Sequence, residues 1–467
     1  RRALAELGHA APERGPAERA AAEVLAALWA DERWRGAWEA AGRGEELAGH
    51  CPIRQIIGGA VYGLSYGDSS VQQRYFWNFS RLNAHGTMLT DETRTRAYQQ
   101  AILGNQADFE GKVVMDVGSG TGALAFFAVQ AGAARVYCVE ASRMAEVIQS
   151  LAEANGWADK IVVVNRVLQE IRDEVPEQVD VIVSETLGNF LFAERGVETV
   201  VVARERFLKP GGRMFPSRAT LCLAPFSDTT LHQTRSVEAK HPWATKDFLG
   251  VDFSSLEDRA RQEIFRRPVH DQIHPDRLKA EPHLEVFDLR TLRAEQLERF
   301  AVPFAFSMRE TCIVHGVAGW FEAHFEGSER TSVLSTSPWD VLTHWWQTLL
   351  MLEKPLAANS GSRVTGSVDF AASGANSYEC RLVLEAGDQR REQAGMDLDD
   401  MDGVHQQPKY KTKQLTANQA VQCVDWAATC ATPSAASNLG GLVEDPFREA
   451  KLRARCLPAV RPPARPA

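Results

Sequence analysis

Glu185 and Glu194 stand nine positions apart in Ser184-Glu185-Thr186-Leu187-Gly188-Asn189-Phe190-Leu191-Phe192-Ala193-Glu194. Gly188 lies between them and lets the chain fold back, so the two carboxylates can converge. A converging pair has a definite use. A guanidinium is planar and cationic, and carboxylates match its N–H fork. With no cation between them, two such acids repel and one holds a proton. The plain alternative is a strand-end acid and a helix-start acid, each solvated.

A second group lies upstream. Asp116-Val117-Gly118-Ser119-Gly120-Thr121-Gly122 follows an apolar run and precedes good helix formers. Glycines there let the backbone turn tightly and approach a ligand. The next apolar run ends in Glu140, where a carboxylate can accept both hydroxyls of a ribose. The spacing is Gly-x-Gly-x-Gly, neither a P-loop nor Gly-x-Gly-x-x-Gly. NAD and S-adenosylmethionine both suit such a site, and the acid directly at the strand end favours S-adenosylmethionine. A tight turn followed by a capping acid is the alternative.

These residues need strands and helices behind them. Residues 112–117, 135–139, 161–164 and 179–184 read as strands, with helices at 123–131 and 144–155 between them. That alternation predicts a parallel sheet covered by helices, with ligands at the C-terminal strand edge. Residues 70–103 read as mixed aromatic and polar helix. After Pro216 short strands recur at 219–224, 284–289, 304–308, 313–325, 332–334, 363–369 and 377–384. Gly, Pro and Ser separate them, which predicts antiparallel β, a barrel or a sandwich. Residues 231–268 form an aromatic and charged insertion without strand periodicity. The expected domains are 1–57, an Ala-rich helical segment; 58–215, the cofactor domain; 216–386, the β domain; and 387–467, a polar tail read as disordered.

Composition narrows the classes. The 467 residues are 44% hydrophobic and 24% charged, an ordinary globular balance. The formal charge of -9 disfavours direct nucleic-acid binding and suits a cationic partner. No apolar run is long enough to span a membrane. The chain opens on Arg1-Arg2 rather than Met, which reads as a fragment, and no secretory signal is visible. Its eight cysteines contain no Cys-x-x-Cys, so no metal site is expected, and they fit a reducing compartment.

Six ordered motifs then give a resemblance: Tyr75-Phe76; His85-x-x-Met88-x-x-Asp91-x-x-Arg94-x-x-x-Tyr98; Asp116 to Gly122; Glu140-Ala141-Ser142; Glu185 with Glu194; and Thr343-His344-Trp345. Together they resemble the protein arginine methyltransferases, most closely the coactivator-associated, type I branch, over about residues 69–384. The resemblance implies a Rossmann-like S-adenosylmethionine domain followed by a β-barrel with a dimerisation arm, which residues 231–268 fit. It implies that Glu185 and Glu194 hold the substrate guanidinium and that His344 pairs with Asp91. Arg94 would meet the cofactor carboxylate and Glu140 the ribose. Tyr75, Phe76, His85, Met88, Asp116, Gly118, Ser119, Gly120, Gly122, Ala141, Gln169 and Glu185 would complete the cofactor site.

The implied activity is methylation of arginine in proteins such as histones or RNA-binding proteins, by a homodimer in the nucleus and cytoplasm. Met88 is small enough for two methyls on one nitrogen, so mono- and asymmetric dimethylarginine are expected. Three positions depart from the family pattern. Phe79 replaces a Tyr; Thr186, Leu187 and Asn189 replace the usual hairpin residues; and Gln169 replaces an adenine-binding acid while keeping an acceptor oxygen. The missing hydroxyl and altered hairpin are the ground for an alternative, a weakly catalytic dimeric scaffold. A small-molecule methyltransferase has no need of paired carboxylates.

Overall fold

The computed structural model describes residues 75–373 and 377–398. The expectations for 1–57 and for residues beyond 398 lie outside the described residues. Residues 75–79 are helical, and helices α1 (Leu82–Thr90), α2 (Glu92–Leu103) and the single turn α3 (Gln106–Phe109) follow. Asp91 divides α1 from α2 and caps the latter, accepting the Arg94 backbone N–H at 3.0 Å.

Strands β1 (Val113–Val117), β2 (Arg135–Val139), β3 (Ile161–Val164), β4 (Val179–Ser184) and β5 (Leu208–Phe215) form one parallel sheet, in the order β3-β2-β1-β4-β5. Helices α4 (Ala123–Gln130), α5 (Met144–Ala154) and α6 (Gly196–Phe207) connect its strands. Side chains alternate across a strand. Val114 accordingly packs with Val136 and Val181 in one core, while Met115 and Val117 pack with Tyr137 and Val139 in another. Both faces are buried, which explains the nearly continuous apolar runs. Strand order reverses beside β1, so a crevice opens where β1, β2 and β4 end.

The second domain is barrel-like. Strands β6 (Arg218–Phe226), β7 (Val269–Asp271), β8 (His283–Asp288), β10 (Cys312–Glu326), β11 (Thr331–Ser335) and β12 (Gln347–Ala358) make an antiparallel sheet, ordered β7-β12-β10-β6-β8 with β11 on β10. Strands β9 (Arg299–Ser307), β13 (Arg363–Ser373), β14 (Ser377–Ala386) and β15 (Gln389–Asp397) make a second, ordered β15-β14-β13-β9. Phe321 and Leu350 of the first share one core with Phe370 and Leu382 of the second, and that core continues into α2 and α4 of the cofactor domain. The insertion forms helices α7 (Thr229–Glu238) and α8 (Glu257–Phe265). Trp243, Phe248, Leu249 and Val251 between them are exposed, Leu249 at 91%.

Four strands, β5, β7, β12 and β15, lie outside the expected ones, and two of them are instructive. β12 was absent from the expected strands, although Thr348–Leu352 is buried throughout. A strand buried on both faces loses the alternation that identifies one. The expected tail also begins too early, because residues 389–397 pair with β14. β15 is an edge strand whose exposed face carries Arg390, Glu392 and Ala394, and this polarity hides it.

Candidate active site

One cavity of about 520 Å³ opens at the C-terminal edge of the parallel sheet. β1 delivers the glycine loop to it, β2 delivers Glu140 and Ala141, and β4 delivers Glu185. The 75–90 segment contributes Tyr75, Phe76, His85 and Met88, and the loop before β12 contributes His344 and Trp345. Gln169 lines it from a short 3-10 turn.

The glycine loop is built on left-handed backbone. Gly118, Gly120 and Gly122 have φ of 71°, 54° and 82°, a region that only glycine enters freely. A Cβ at Gly120 would stand 2.9 Å from the His85 ring, so the loop also lies close against α1. His85 is anchored there, Nε2 lying 2.8 Å from the Phe79 carbonyl. Glu140 crosses behind the loop. Its Oε2 accepts the Gly120 N–H and its Oε1 accepts the Ser142 N–H, each at 2.7 Å. Each oxygen keeps a lone pair for a further donor, so a vicinal diol fits.

Asp116 and Gly122 stand outside the cavity wall. Asp116 points instead into the core beneath the loop, where Oδ2 accepts the Ala125 N–H at 3.2 Å and Oδ1 has no partner. Burial pushes this carboxyl up to about 7; the Ala125 N–H opposes the shift, and the charge of Glu140 adds to it. It supports the loop from below.

Glu185 and Glu194 line the same cavity. Between them the chain turns back through a bridge from Gly188 to Leu191. Gly188 is required, because a Cβ there would fall 1.8 Å from the Ala193 carbonyl oxygen. Four non-glycine residues of the turn adopt positive φ: Phe190, Leu191, Glu194 and Arg195. Such strain persists only where surroundings over-determine it. Phe192 is buried among Phe287, Phe300, Phe370 and Tyr378 of the barrel. The Trp345 indole N–H donates to the Leu187 carbonyl at 2.7 Å.

Each acid already meets a donor. The Tyr75 hydroxyl donates to Glu194 Oε2 at 2.9 Å. The Arg94 guanidinium rests on Glu185 Oε2 through Nε at 2.7 Å and through Nη2. Glu185 therefore takes a guanidinium in this structure, and Arg94 supplies it. His344 Nδ1 lies 2.8 Å from Asp91 Oδ2, which also accepts the His344 backbone N–H. Burial raises the Asp91 carboxyl, but hydrogen bonds from His344 and from the Arg94 backbone outweigh it and hold it below its ordinary value. Asp91 stands behind His344, outside the cavity wall.

Known proteins resemble this chain in sequence and fold. Residues 217–387 match the family model of the arginine methyltransferase oligomerization subdomain, and residues 114–212 match a methyltransferase domain. The histone-arginine methyltransferase CARMER of Drosophila yakuba is 40% identical over 332 residues, 71% of this chain and 62% of that protein. The Trypanosoma brucei PRMT1 enzyme-prozyme heterotetrameric complex with AdoHcy is 29% identical at a TM-score of 0.60, covering 68% of this chain and 99% of that one. Protein arginine methyltransferase 10 of Arabidopsis thaliana is 29% identical at 0.62, with the same coverage. Over these regions the chain is similar to the protein arginine methyltransferases. It spans about 62% of the length of the curated relatives it matches.

The departures from the arginine methyltransferase pattern have structural uses. Phe79 packs its ring 4.7 Å from Tyr75 and lends its carbonyl to His85. Thr186 reaches the Gly196 carbonyl at 3.2 Å through its hydroxyl, and Leu187 supplies the acceptor for Trp345. Asn189 lines the cavity. Sequence reasoning missed Arg195 and Glu198, which line it too. Their i, i+3 spacing at a helix start was the available signal.

Proposed function

We propose that this chain is an S-adenosylmethionine-dependent protein arginine N-methyltransferase of type I, with histones among its substrates and mono- and asymmetric dimethylarginine as products. One observation carries the reading: a single cavity holds both the glycine loop with Glu140 and the acid pair Glu185 and Glu194. Histone-arginine methyltransferase is the name carried by the CARMER relatives, and AdoHcy is bound in the trypanosome complex.

The cofactor side fits this chain. Glu140 retains lone pairs for the ribose hydroxyls, Gln169 offers an amide to adenine, and Arg94 is a cation within reach of Glu185 for the amino-acid carboxylate. When bound, S-adenosylmethionine supplies an electrophilic methyl on sulfur. The chain's own residues do the rest. Glu185 and Glu194 hold the substrate guanidinium and draw its positive charge toward the nitrogens they bind, leaving the attacking nitrogen more nucleophilic. Fixing that nitrogen in line contributes several kcal/mol, of the order seen for oriented reactants. Tyr75 orients Glu194 through its hydroxyl. His344, held by Asp91 at Nδ1, takes the proton released by the guanidinium at Nε2.

The chain acts as a homodimer through its arm, whose exposed Trp243, Phe248, Leu249 and Val251 supply apolar anchors. The oligomerization subdomain supports this, and the histone substrate supports a nuclear site of action. Mass spectrometry of an arginine peptide library, incubated with protein and S-adenosylmethionine, tests the reading. Addition of 14 and then 28 Da to arginine, the size of one and two methyls, is expected. Fragmentation of the product gives the asymmetric isomer. No addition on any arginine peptide contradicts the reading.

A further inference from the structure

The glutamate nearer the barrel has an odd backbone. Glu194 and Arg195 have φ of 67° and 55°, consecutive left-handed residues without a glycine. Nothing in Ala193-Glu194-Arg195 favours that conformation, so the restraint comes from side chains further away.

The side chain of Arg195 turns toward α6 and meets Glu198 in a fork. Nε reaches Oε1 at 2.9 Å and Nη2 reaches Oε2 at 2.7 Å. This is the bidentate geometry that fixes orientation as well as distance. Glu198 Oε1 also accepts the hydroxyl of Tyr378. Tyr378 belongs to β14, across the domain boundary, and is fully buried. Its ring lies 5.9 Å beneath the Arg195 guanidinium and packs with Phe192, Phe300 and Phe370. Three groups from two distant parts of the chain thus close on one another immediately after Glu194. Burial, with the Glu198 charge beside it, pushes the Tyr378 hydroxyl far above its ordinary range, so it remains a donor at every working pH.

We infer that Tyr378, Glu198 and Arg195 form a clamp by which the barrel sets the backbone of Glu194, making Tyr378 a positioning residue for the acceptor guanidinium. This rests on the function proposed above. The clamp touches neither the glycine loop nor Glu140. It therefore acts on the acceptor half of the site and leaves the cofactor half alone. It also gives the barrel a part in catalysis separate from carrying His344.

Tyr378→Phe removes one oxygen and keeps the ring in its aromatic pocket. Glu198→Gln keeps an acceptor oxygen and removes the charge that grips Arg195. The full chain and both variants are compared by hydrogen exchange at the amides of Glu194, Arg195 and Gly196. Cofactor titration and steady-state kinetics on an arginine peptide accompany it. Faster exchange at those three amides is expected in both variants, with cofactor affinity unchanged. kcat should fall about tenfold with KM for the peptide little altered, as misorientation of a bound group predicts. In a Glu194→Gln background either clamp substitution should make little further difference, because the clamp acts through Glu194. Unchanged exchange overturns the inference whatever the activity. So does faster exchange with wild-type kcat. If the unmutated chain methylates no arginine, the proposed function fails on that ground and the exchange result alone decides the clamp.

Discussion

The glycine loop and the acid hairpin form two walls of one cavity, and both depend on left-handed backbone. In the loop that conformation falls on Gly118, Gly120 and Gly122; in the hairpin it falls on Phe190, Leu191, Glu194 and Arg195. The loop needs few distant partners, since its residues enter the conformation at little cost. The hairpin is disfavoured locally, by roughly 1–2 kcal/mol for each such residue. It is held from outside by Trp345, Tyr75 and the aromatic pocket around Phe192. One wall is encoded in seven consecutive residues, and the other is assembled from two domains. The difference predicts that the two walls can be broken separately.

The largest separation is expected from Phe192→Ala, which empties the pocket between Phe287, Phe300 and Phe370. Loss of a buried Phe costs about 3–5 kcal/mol. Thermal or urea unfolding of the variant should show that loss. At a temperature where the variant remains folded, cofactor titration should show affinity close to wild type while peptide methylation is lost. Equal loss of both would mean that the walls are one unit.

Glu140→Ala makes the opposite cut. Removing the acceptor for two backbone N–H groups and for the ribose should weaken S-adenosylmethionine binding by about 1–3 kcal/mol, the range for charge-assisted hydrogen bonds. Calorimetric titration reads it directly. Hydrogen exchange across 190–196 should stay unchanged in this variant.

A third cut concerns Asp116 beneath the loop. Its carboxyl is raised to about 7, well above the ordinary aspartate range. The unfolded chain therefore releases this proton near pH 4, while the folded protein keeps it until near 7. Folding stability from this group is undiminished below about pH 4, falls as pH rises toward 7, and is level above. Asp116→Asn is neutral throughout and escapes the fall. Melting curves of the two proteins should draw apart between pH 4 and 7 and run parallel at higher pH. Parallel curves over the whole range would mean that Asp116 ionises freely.

Legibility of the sequence follows the same division. Asp116 to Gly122, Glu140 and the βα alternation are local patterns, so the parallel sheet and its ligand edge could be read directly. The spacing of Glu185 and Glu194 raised their convergence, and Gly188 supplied a reason for it. Their surroundings were not readable. Tyr378 lies 184 positions from Glu194, and no periodicity links a buried β14 tyrosine to a hairpin acid. Trp345 was visible only as part of a motif, and its bond to the Leu187 carbonyl exists only once the domains have packed. β12 escaped because burial on both faces erases alternation, and β15 because its exposed face is charged.

The central claim is that Glu185 and Glu194 act on one guanidinium. Its most direct test is single-turnover methylation of an arginine peptide by Glu185→Gln, Glu194→Gln and the double variant, with cofactor titration on the same samples. Each exchange keeps shape and removes one charge. Each single variant should lose about a hundredfold or more in rate, comparable to removing one preorganised electrostatic contact. The double variant should lose far less than the product of the two, because the acids serve the same cation. Cofactor affinity should stay within a few-fold of wild type. Wild-type rates in both single variants, beside an active unmutated chain, would contradict the account.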